Sequence, residues 1–260
     1  MRFAIAFASR FIPRHHLQRF SGFMLKIIGL AYLGNKFEDP ISGKKYRKLL
    51  PYGRIHTRAN ALAPHSMSLE RHRLLWLYLK QKTNFFRVPN KVLHIAPEYC
   101  FIGRFSKMKN LDYITADLNS PWAKVKLDVQ DMPFDDNVFD VILCNHVLEH
   151  VPSDRLAIGE LFRVMKPGGF GIFQVPLDTN LSETLEDGSI NTPELRELHY
   201  GQRDHLRLYG NDYSERLRKS GFLVTEDNFV QTLSKDLVTR YALSDAEVIY
   251  LCVKPLTEQQ

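Results

Sequence analysis

The sequence predicts an α/β fold in which a doubly wound, mostly parallel sheet occupies the C-terminal two thirds of the chain. Short apolar runs rich in β-branched residues recur from residue 91 onward, and segments of helical periodicity separate them. Strands that alternate with helices pair in parallel, because each crossover helix returns the chain to the same end of the sheet. The composition agrees with a globular chain: 44% of the 260 residues are hydrophobic, and no internal repeat interrupts them.

Four strands are predicted in the first half of this region. Residues 91–96 and 111–116 form the first two, and the 14 residues between them leave room for only a short helix. Residues 125–128 form the third strand, and a turn that contains Pro133 follows it. The strongly apolar run 139–144 forms the fourth strand.

The second half of the region continues the alternation. Apolar residues at helical spacing predict a helix over 147–166, which ends at Lys166-Pro167-Gly168-Gly169. The remaining predicted elements are strands at 170–175, 222–225 and 247–253 and a helix at 213–220. The expected sheet therefore has seven strands.

Charge is distributed unevenly along the chain. The first 90 residues hold 17 lysines and arginines against 3 acids, whereas the rest of the chain holds 18 against 26. A basic first third indicates contact with an anionic partner such as a membrane surface, a nucleic acid or a phosphorylated substrate. The alternative is that it docks on the acidic part of its own chain.

Cysteine usage predicts a reducing compartment. Cys100, Cys144 and Cys252 lie far apart and form no CxxC pair. This spacing argues against a disulfide-stapled secreted fold and against a thiolate metal site. A cytoplasmic protein is therefore expected.

Residues 1–34 form a basic, apolar segment without a single acid. No apolar run in the chain approaches the roughly 18–20 residues that span a bilayer. We expect one or two amphipathic helices that either lie on an anionic membrane surface or pack against the main domain. Peripheral contact with the inner face of the membrane is one expectation, and an organellar transit peptide is another interpretation of this composition.

An ordered set of motifs carries a family resemblance. The motifs are VLHIAPE, ITADL, KLDVQDMPFDDNVFDVILCNHVLEHV and LFRVMKPGGFGIFQVP, within residues 91–175. In order and spacing they resemble the class I S-adenosylmethionine-dependent methyltransferases, and among them the type 11 group. The resemblance implies a Rossmann-like methyltransferase sheet and S-adenosylmethionine as the cofactor.

The resemblance also implies which residues bind the cofactor. In the family, an acid that ends the second strand holds the ribose hydroxyls, and an acid after the third strand contacts the adenine. Asp117 and Asp128 occupy these positions. A carboxylate with two acceptor oxygens matches a ribose diol, and ligands of open α/β sheets bind beyond the carboxyl ends of the strands. The neighbouring positions implied in the site are Leu118, Val129, Asn145 and His146.

The turn after the first strand departs from the family pattern. Where the family has an acid followed by Gly-x-Gly-x-Gly, this chain has His94, Ala96, Pro97 and Glu98, which we assign to the cofactor site. Glu98 would pair with the cofactor's ammonium group or point to solvent. The third alternative is that the altered turn weakens or abolishes cofactor binding.

Methyl transfer is an in-line displacement, so the protein must align the acceptor and in many cases remove a proton. His205 is the first choice for the base, with Asp204 beside it, and His146 is a further catalytic candidate. The expected substrate residues lie on a lid at about 177–212, namely His199, Tyr200, Arg207 and Tyr209.

A metal site is weighed and set aside at this stage. His146, Glu149 and His150 would share one helix face, and with His199 or His205 they could hold a divalent ion. Some methyltransferases with a similar Glu-x-x-Glu-His element bind a metal, but this chain has histidine at the first position. Packing and capping by Glu149 and His150 is favoured, so no metal is predicted.

Residues 35–68 resemble a small zinc-ribbon module that precedes the same catalytic domain in some bacterial methyltransferases, so the methyltransferase domain is expected at 69–260. The four cysteine positions hold Asp39, Ser42, Ala63 and Ser66, so no zinc is expected. The module would instead be held by packing of Tyr46, Leu49, Leu50 and Tyr52. The following helix begins near Ser68, and its Arg71 and Arg73 either contact an anionic substrate or lie at the surface.

Together these features predict methyl transfer to an oxygen or nitrogen of a small molecule, with a saccharide or lipid-linked glycan intermediate as the leading acceptor. One alternative is an RNA methyltransferase that uses the basic third as a phosphate-binding surface. The other is a non-catalytic scaffold that has lost cofactor binding.

Overall fold

A computed structural model describes residues 14–53 and 57–256. Residues 1–13 of the predicted N-terminal segment lie outside this part of the chain. The chain divides into two compact units. The first comprises Met1–Asn84, Glu98–Arg104 and Phe229–Glu247, and the second comprises Phe85–Pro97, Phe105–Asn228 and Val248–Gln260.

The helices are α1 (Arg14–Ala31), α2 (Glu70–Lys82), α3 (Tyr99–Phe105), α4 (Asp154–Val164), α5 (Pro193–Tyr200), α6 (Tyr213–Arg218) and α7 (Lys235–Arg240), with a 3-10 turn at Phe229–Thr232. The strands are β1 (Leu33–Glu38), β2 (Lys45–Tyr46), β3 (Leu50–Tyr52), β4 (Arg58–Leu62), β5 (Asn90–Ile95), β6 (Leu111–Asp117), β7 (Val125–Lys126), β8 (Phe139–Cys144), β9 (Met165–Ile172), β10 (Leu223–Asp227) and β11 (Ile249–Val253).

The second unit contains the predicted sheet. Its described strands run in the order β10-β11-β9-β8-β5-β6-β7. The pairs from β9 to β7 are parallel, whereas β11 runs antiparallel to both β9 and β10. The expectation of a seven-stranded, mostly parallel, doubly wound sheet is therefore confirmed.

Two predicted boundaries shift around β8 and β9. The helix expected from residue 147 begins only at Asp154, where the Ser153 side chain accepts a hydrogen bond from the Leu156 N–H. Strand β9 begins at Met165, five residues earlier than expected, and its register against β8 slips between Phe139 and Val141. The segment 166–169 therefore bulges out of the ladder, with Gly168 at φ +76°.

Apolar residues on both faces of the sheet form the core of the second unit. Leu93, Ile142 and Cys144 are fully buried in the central strands, and Leu161 of α4 packs into the same cluster. Burial of each such leucine or isoleucine contributes about 1.5–3 kcal/mol. The central strands β5 and β8 each contain a run of buried residues, as a parallel sheet covered on both faces requires.

The first unit contains two small antiparallel sheets, β1-β2 and β3-β4. Tyr46, Leu49 and Phe37 are buried in its core. Of the other residues expected to hold this module, Leu50 is half-buried, and Tyr52 is 47% exposed. Packing in this module therefore depends on fewer large side chains than the sequence pattern indicates.

A hydrogen-bonded carboxylate lies among the four positions at which the sequence resemblance implies cysteines. Asp39 is fully buried, and its two oxygens accept from the Ile41 and Ser42 N–H groups at 3.1 and 3.2 Å and from the Ser42 and Ser68 hydroxyls at 2.5 and 3.1 Å. Ser66 extends the network, because its hydroxyl donates to Ser68 at 2.9 Å. A buried carboxylate with four donors satisfies the rule that buried charges must be hydrogen-bonded.

Arg73 of α2 is buried rather than exposed, and the carbonyl oxygens of its own unit occupy its guanidinium. It donates to Ala61 and Ser68 at 2.9 Å, to Tyr241 at 2.6 Å and to Ala242 at 2.7 Å. Burial lowers the pKa of Arg73 to about 10. Neither a surface position nor a contact with an anionic substrate agrees with this placement.

The described helix α1 exposes apolar side chains. Phe23 and Leu30 are 61% and 67% exposed, and Met24, Ile27 and Ile28 are each more than a third exposed. Within the described part of the chain, no helix combines the length and apolar character needed to cross a bilayer.

We expect Asp39→Ala to lower the free energy of unfolding of the first unit by at least about 3 kcal/mol, because four donors lose their acceptor. Urea unfolding followed by Trp76 fluorescence, in a Trp122→Phe background, measures this loss. The control is Glu38→Ala, which removes a partly exposed ion pair with Arg240 and should cost about 1 kcal/mol or less. Equal losses in the two variants would contradict the assignment of Asp39 as the hub of this module.

Candidate functional site

A cavity of about 440 Å³ opens at the carboxyl ends of the strands of the second unit. Its volume lies within the roughly 300–1,000 Å³ typical of small-molecule sites. The lining residues come from the ends of four strands and from one later segment: Ile95, Ala96, Asp117, Leu118, Asn119, Leu127, Asp128, Val129, His146, Val147, His150, Val151 and Asp204.

The strand order explains why the cavity forms here. The chain runs from β5 outward to β6 and β7, then crosses to β8 on the other side of β5. The loops after β5 and β8 therefore diverge and leave a crevice between them, which is where open α/β sheets bind ligands. Ala96 follows β5 on one side of this crevice, and His146 follows β8 on the other.

Two non-glycine residues at the crevice adopt left-handed backbone conformations. Ala96 has φ +48° and His146 has φ +55°. Each is fixed by a backbone hydrogen bond, from Ala96 N–H to the Ala116 carbonyl at 2.8 Å and from His146 N–H to the Gln174 carbonyl at 2.7 Å. Alanine at position 96 would cost little only at a negative φ, so its left-handed backbone is strained. Such strain persists where the surrounding structure over-determines the backbone.

Asp117 ends β6 with one carboxylate oxygen occupied. Its Oδ1 accepts from the N–H groups of Asn119 and Ser120 at 2.7 and 2.6 Å. These two bonds hold the side chain in a fixed orientation at the cavity wall. Since no described residue donates to Oδ2, the second oxygen is available to a ligand with hydroxyl donors.

Asp128 follows β7, and Gln130 orients its carboxylate. The Gln130 N–H donates to Oδ1 at 2.9 Å, and the Gln130 side-chain amide lies 3.1 Å from both oxygens. The Gln130 amide oxygen accepts from the Ser153 N–H at 2.8 Å, so Gln130 is itself held in place. The structure thus brings both predicted carboxylates to the same cavity.

Histidine and glutamate side chains cluster at the other end of the cavity. Glu149 and His205 are 1% and 2% exposed, and His150 is partly buried beside them. The rings of His150 and His205 meet edge to face at 4.8 Å between centroids. His146 Nδ1 lies 3.3 Å from a Glu149 oxygen. Burial lowers the pKa of His205, which favours the neutral imidazole that a base requires.

Arg207, expected to bind substrate, is buried and fully engaged by its own unit. Its guanidinium donates to the carbonyl oxygens of Leu148, Val151 and Pro152 at 2.5–3.0 Å, and to Glu186 through Nε and Nη2. These contacts use all five N–H donors. Arg207 thus joins the chain around residue 207, within the expected lid, to the turn that follows β8.

The other expected substrate residues differ in exposure. Tyr209 is fully buried, and its hydroxyl donates to Asp154 at 3.1 Å; burial raises its pKa. Tyr200 is 2% exposed, and its hydroxyl bonds to the backbone of Asp187. His199 is exposed on α5. None of these side chains lines the described cavity.

The residues assigned to the cofactor separate into two groups. Ala96, Asp117, Leu118, Asp128, Val129 and His146 line the cavity, as does the catalytic candidate Asp204. His94 instead points into the core, with Nδ1 2.7 Å from the Tyr113 hydroxyl. Asn145 is buried, and its side-chain oxygen accepts a hydrogen bond from the Gln174 N–H at 3.3 Å. Pro97 is also buried. Glu98 belongs to the first unit and immediately precedes α3.

Sequence reasoning missed several apolar lining positions. Leu127 and Val151 line the cavity, and each lies next to a position already chosen for its charge. Leu127 comes directly after β7, so its place at the carboxyl end of a strand is the signal that could have identified it. Val151 lies in a turn, where no periodicity indicates which side chains face a ligand.

Part of the chain matches a known family. Residues 106–173 match a family model described as a methyltransferase domain. Sterol 24-C-methyltransferase erg6 of Schizosaccharomyces pombe is 31% identical over 137 residues, which cover 50% of this chain and 34% of that protein. The ubiquinone/menaquinone biosynthesis C-methyltransferase UbiE of Idiomarina loihiensis is 36% identical over 70 residues, or 26% and 28% of the two chains. The chain thus spans about a third of the length of these relatives.

A solved structure shares the fold over most of the chain. The [4+2]-cyclase SpnF superposes with a TM-score of 0.51 at 14% identity and covers 84% of this chain and 92% of its own. At this identity the likeness concerns the fold alone. Because that structure is named as a cyclase, the reaction must be argued from the site and not from the fold.

We expect Ala96→Gly to stabilise the protein by about 1 kcal/mol, because glycine relieves the left-handed strain at this position. Thermal and urea unfolding measure the change. The matched control is Ala116→Gly in the neighbouring strand, which should destabilise by about 1 kcal/mol or more because its backbone is not left-handed. Destabilisation by both substitutions would contradict the strain at Ala96.

Proposed function

Because the chain carries a class I S-adenosylmethionine-dependent methyltransferase domain, we propose that the whole protein binds this cofactor in the cavity of the second unit and transfers its methyl group to a small molecule. The single observation that carries the proposal is the pair of oriented carboxylates, Asp117 and Asp128, beyond the carboxyl ends of adjacent strands. S-adenosylmethionine supplies the electrophilic methyl group when it is bound. The chain must then bind the cofactor and the acceptor, orient the acceptor toward the methyl group, and remove a proton from the acceptor.

The cavity residues fit a nucleoside with a polar sugar and a flat base. The free oxygen of Asp117 would accept from the ribose hydroxyls, because its other oxygen already holds two backbone donors. Asp128 would accept a hydrogen bond from the adenine amino group. The hydrogen bonds that Gln130 donates to its carboxylate leave lone pairs on the two oxygens for this contact. Leu118 is 59% exposed beside them, and Val129 offers a second apolar surface for the base.

The histidines near the cavity supply candidates for proton removal. His146 lines the cavity directly, and its Nε2 has no hydrogen-bond partner among the described residues. His205, the first choice from the sequence, has a pKa lowered by burial and an Nε2 without a partner among the described residues, but it does not line the cavity and so becomes the second candidate. A neutral imidazole near the acceptor removes a proton from a hydroxyl or an amine as the methyl group transfers.

We propose an oxygen or nitrogen acceptor on a small molecule, with a saccharide or lipid-linked glycan intermediate as the leading class. The base candidates agree with such an acceptor, because a hydroxyl or an amine loses a proton as it is methylated; a carbon acceptor loses one too, so the base does not separate these classes. The relatives named above are C-methyltransferases. Carbon transfer is therefore the competing outcome, and the chemical shift of a ¹³C-labelled methyl product distinguishes the three acceptor atoms.

We expect Asp117→Asn to weaken binding of S-adenosylmethionine and of its demethylated product by roughly ten- to hundredfold, because an amide would face the ribose donors with a donor of its own. Asp128→Asn should have a smaller effect of the same sign. Isothermal titration calorimetry measures both. Asp131→Asn, an exposed acid three residues along, is the control and should change affinity less than twofold. Unchanged affinity in both site variants would overturn the cofactor site, and no binding heat in the unsubstituted protein would favour the scaffold alternative.

We also propose that the first unit contacts an anionic membrane through α1. The exposed Phe23, Met24, Ile27, Ile28 and Leu30 recur at helical spacing, and the helix sequence contains three basic residues and no acid. Such a face inserts its apolar side chains at the headgroup boundary while basic residues meet lipid phosphates. The excess of basic residues in the first 90 positions favours an anionic surface.

We expect the double variant Phe23→Glu/Ile27→Glu to lower partitioning onto phosphatidylserine vesicles by roughly a hundredfold, since two apolar contacts are lost and two repelling charges are gained. Vesicle cosedimentation measures this. Leu198→Glu, at a leucine of the second unit that is 75% exposed, is the control and should not change partitioning. Equal vesicle binding by the double variant and the unsubstituted protein would contradict the membrane proposal. Salt-sensitive binding of RNA without binding to vesicles would contradict it too and would favour the RNA alternative.

A further inference from the structure

Glu149, His150 and His205 form a cluster of three metal-ligating side chains. One ligand atom from each side chain lies within 4.8 Å of the other two. Neither Glu149 oxygen has a hydrogen-bond partner among the described residues, and both are buried, as is the unpartnered Nε2 of His205. Buried acceptors without donors cost free energy unless a cation or a proton lies between them.

Backbone carbonyls fix the tautomers of the two histidines. His205 Nδ1 lies 3.1 Å from the Tyr200 carbonyl oxygen, and His150 Nδ1 lies 3.2 Å from the carbonyl oxygen of Asp204. A carbonyl oxygen can only accept, so in both rings Nδ1 carries the proton. In a neutral ring, Nε2 is then a lone-pair donor to a metal. Metal-binding histidines commonly have this second interaction, in which the other ring nitrogen donates to a carbonyl or carboxylate.

The surrounding structure holds the three side chains rigidly. Glu149 and His150 lie in the turn after β8, and His205 lies in the segment before Arg207. The Leu206 N–H donates to the Glu149 carbonyl at 2.8 Å. The five donors of buried Arg207 add to this connection, so the two segments are held together independently of any ligand.

We infer that Glu149, His150 and His205 form a binding site for one divalent transition-metal ion. Two imidazole nitrogens and one carboxylate suit zinc, cobalt or iron rather than magnesium. Bonds of about 2.0–2.1 Å separate the ligands of a tetrahedral ion by roughly 3.3 Å, so the side chains must close by at most about 1.5 Å. The site differs from the sequence expectation, which favoured packing and capping for these residues.

Three protein ligands leave at least one coordination position open. His150 lines the cavity, so the open position would face the space where the acceptor binds. A bound metal ion lowers the pKa of a coordinated hydroxyl or water. The role of the ion in activating an acceptor oxygen rests on the proposed function, whereas metal binding itself does not.

No described side chain supplies donors to the whole cluster, so the competing occupant is a proton on Glu149, and a chain occupied in that way would bind no Zn²⁺ in the test below. An Nδ1–H of His146 would offer a donor to one Glu149 oxygen at 3.3 Å. The second Glu149 oxygen and His205 Nε2 would still lack a donor among the described residues. Asp204 faces His150 Nδ1 at 3.5 Å and is an additional acceptor, not a donor.

The test uses the full chain after treatment with a chelator. We expect one Zn²⁺ or Co²⁺ per chain with micromolar or tighter affinity by titration calorimetry, and visible absorption bands for the cobalt form. Mg²⁺ should bind at least a hundredfold more weakly, because it prefers oxygen ligands. At a hundredfold excess over Kd, Zn²⁺ should raise the melting temperature by roughly 5–10 °C.

Glu149→Gln and His205→Gln should each weaken Zn²⁺ binding at least a hundredfold and remove the thermal shift. Metal-free Glu149→Gln should melt no lower than the unsubstituted protein, because it removes a buried charge that has no hydrogen-bond donor; this separates ligand loss from misfolding. His199→Gln, an exposed histidine outside the cluster, is the matched control and should bind Zn²⁺ within twofold of the original. Zn²⁺ affinity unchanged by Glu149→Gln and His205→Gln would overturn the site.

Titration with S-adenosylmethionine in the presence of chelator distinguishes this inference from the proposed function. Cofactor binding without metal binding would overturn the metal site alone. Metal binding without cofactor binding would overturn the proposed function and leave the metal site intact.

Discussion

The site depends on one feature of the sheet, the pairing of β5 with β6 on one side and β8 on the other. Because all three strands are parallel, their carboxyl ends meet at one edge, and the crossover to β8 opens a crevice there. Ala96, Asp117 and His146 come from three separate parts of the sequence, and the register brings all three to this crevice. A change in that register would separate the three residues even if every side chain stayed the same.

The requirement that buried polar groups be paired divides the buried acids into two kinds. Asp39 is fully buried with four hydrogen-bond donors, and these bonds cross-link the module internally. Glu149 is as deeply buried, but neither of its oxygens accepts a hydrogen bond from a described residue. The first arrangement is complete without a ligand, whereas the second is not. This difference, rather than residue type, distinguishes a structural carboxylate from a binding one.

Two arginines show how structural roles can resemble functional ones in a sequence. Arg73 and Arg207 were both candidates for substrate contact, Arg73 on the helix that begins near Ser68 and Arg207 on the expected lid. In the fold, backbone carbonyl oxygens surround each guanidinium within its own unit. Arginine suits this position because irregular segments leave several backbone carbonyl oxygens without partners, and its five N–H groups can donate to them. A local pattern cannot indicate it, because the acceptors come from residues distant in the sequence.

The sequence by itself determined the strand order along the chain and the α/β class, because apolar periodicity is a local property. The two carboxylates at the cavity followed from the family resemblance of the motifs, and their positions at strand ends agree with it. The sequence also identified Glu149, His150 and His205 as candidates without settling what they bind. Only the tertiary structure decided that His94 faces Tyr113, that Ala96 is left-handed and that Tyr209 is buried. These outcomes depend on which distant residues fill the remaining space and supply hydrogen bonds, and burial is a property of the packed chain as a whole.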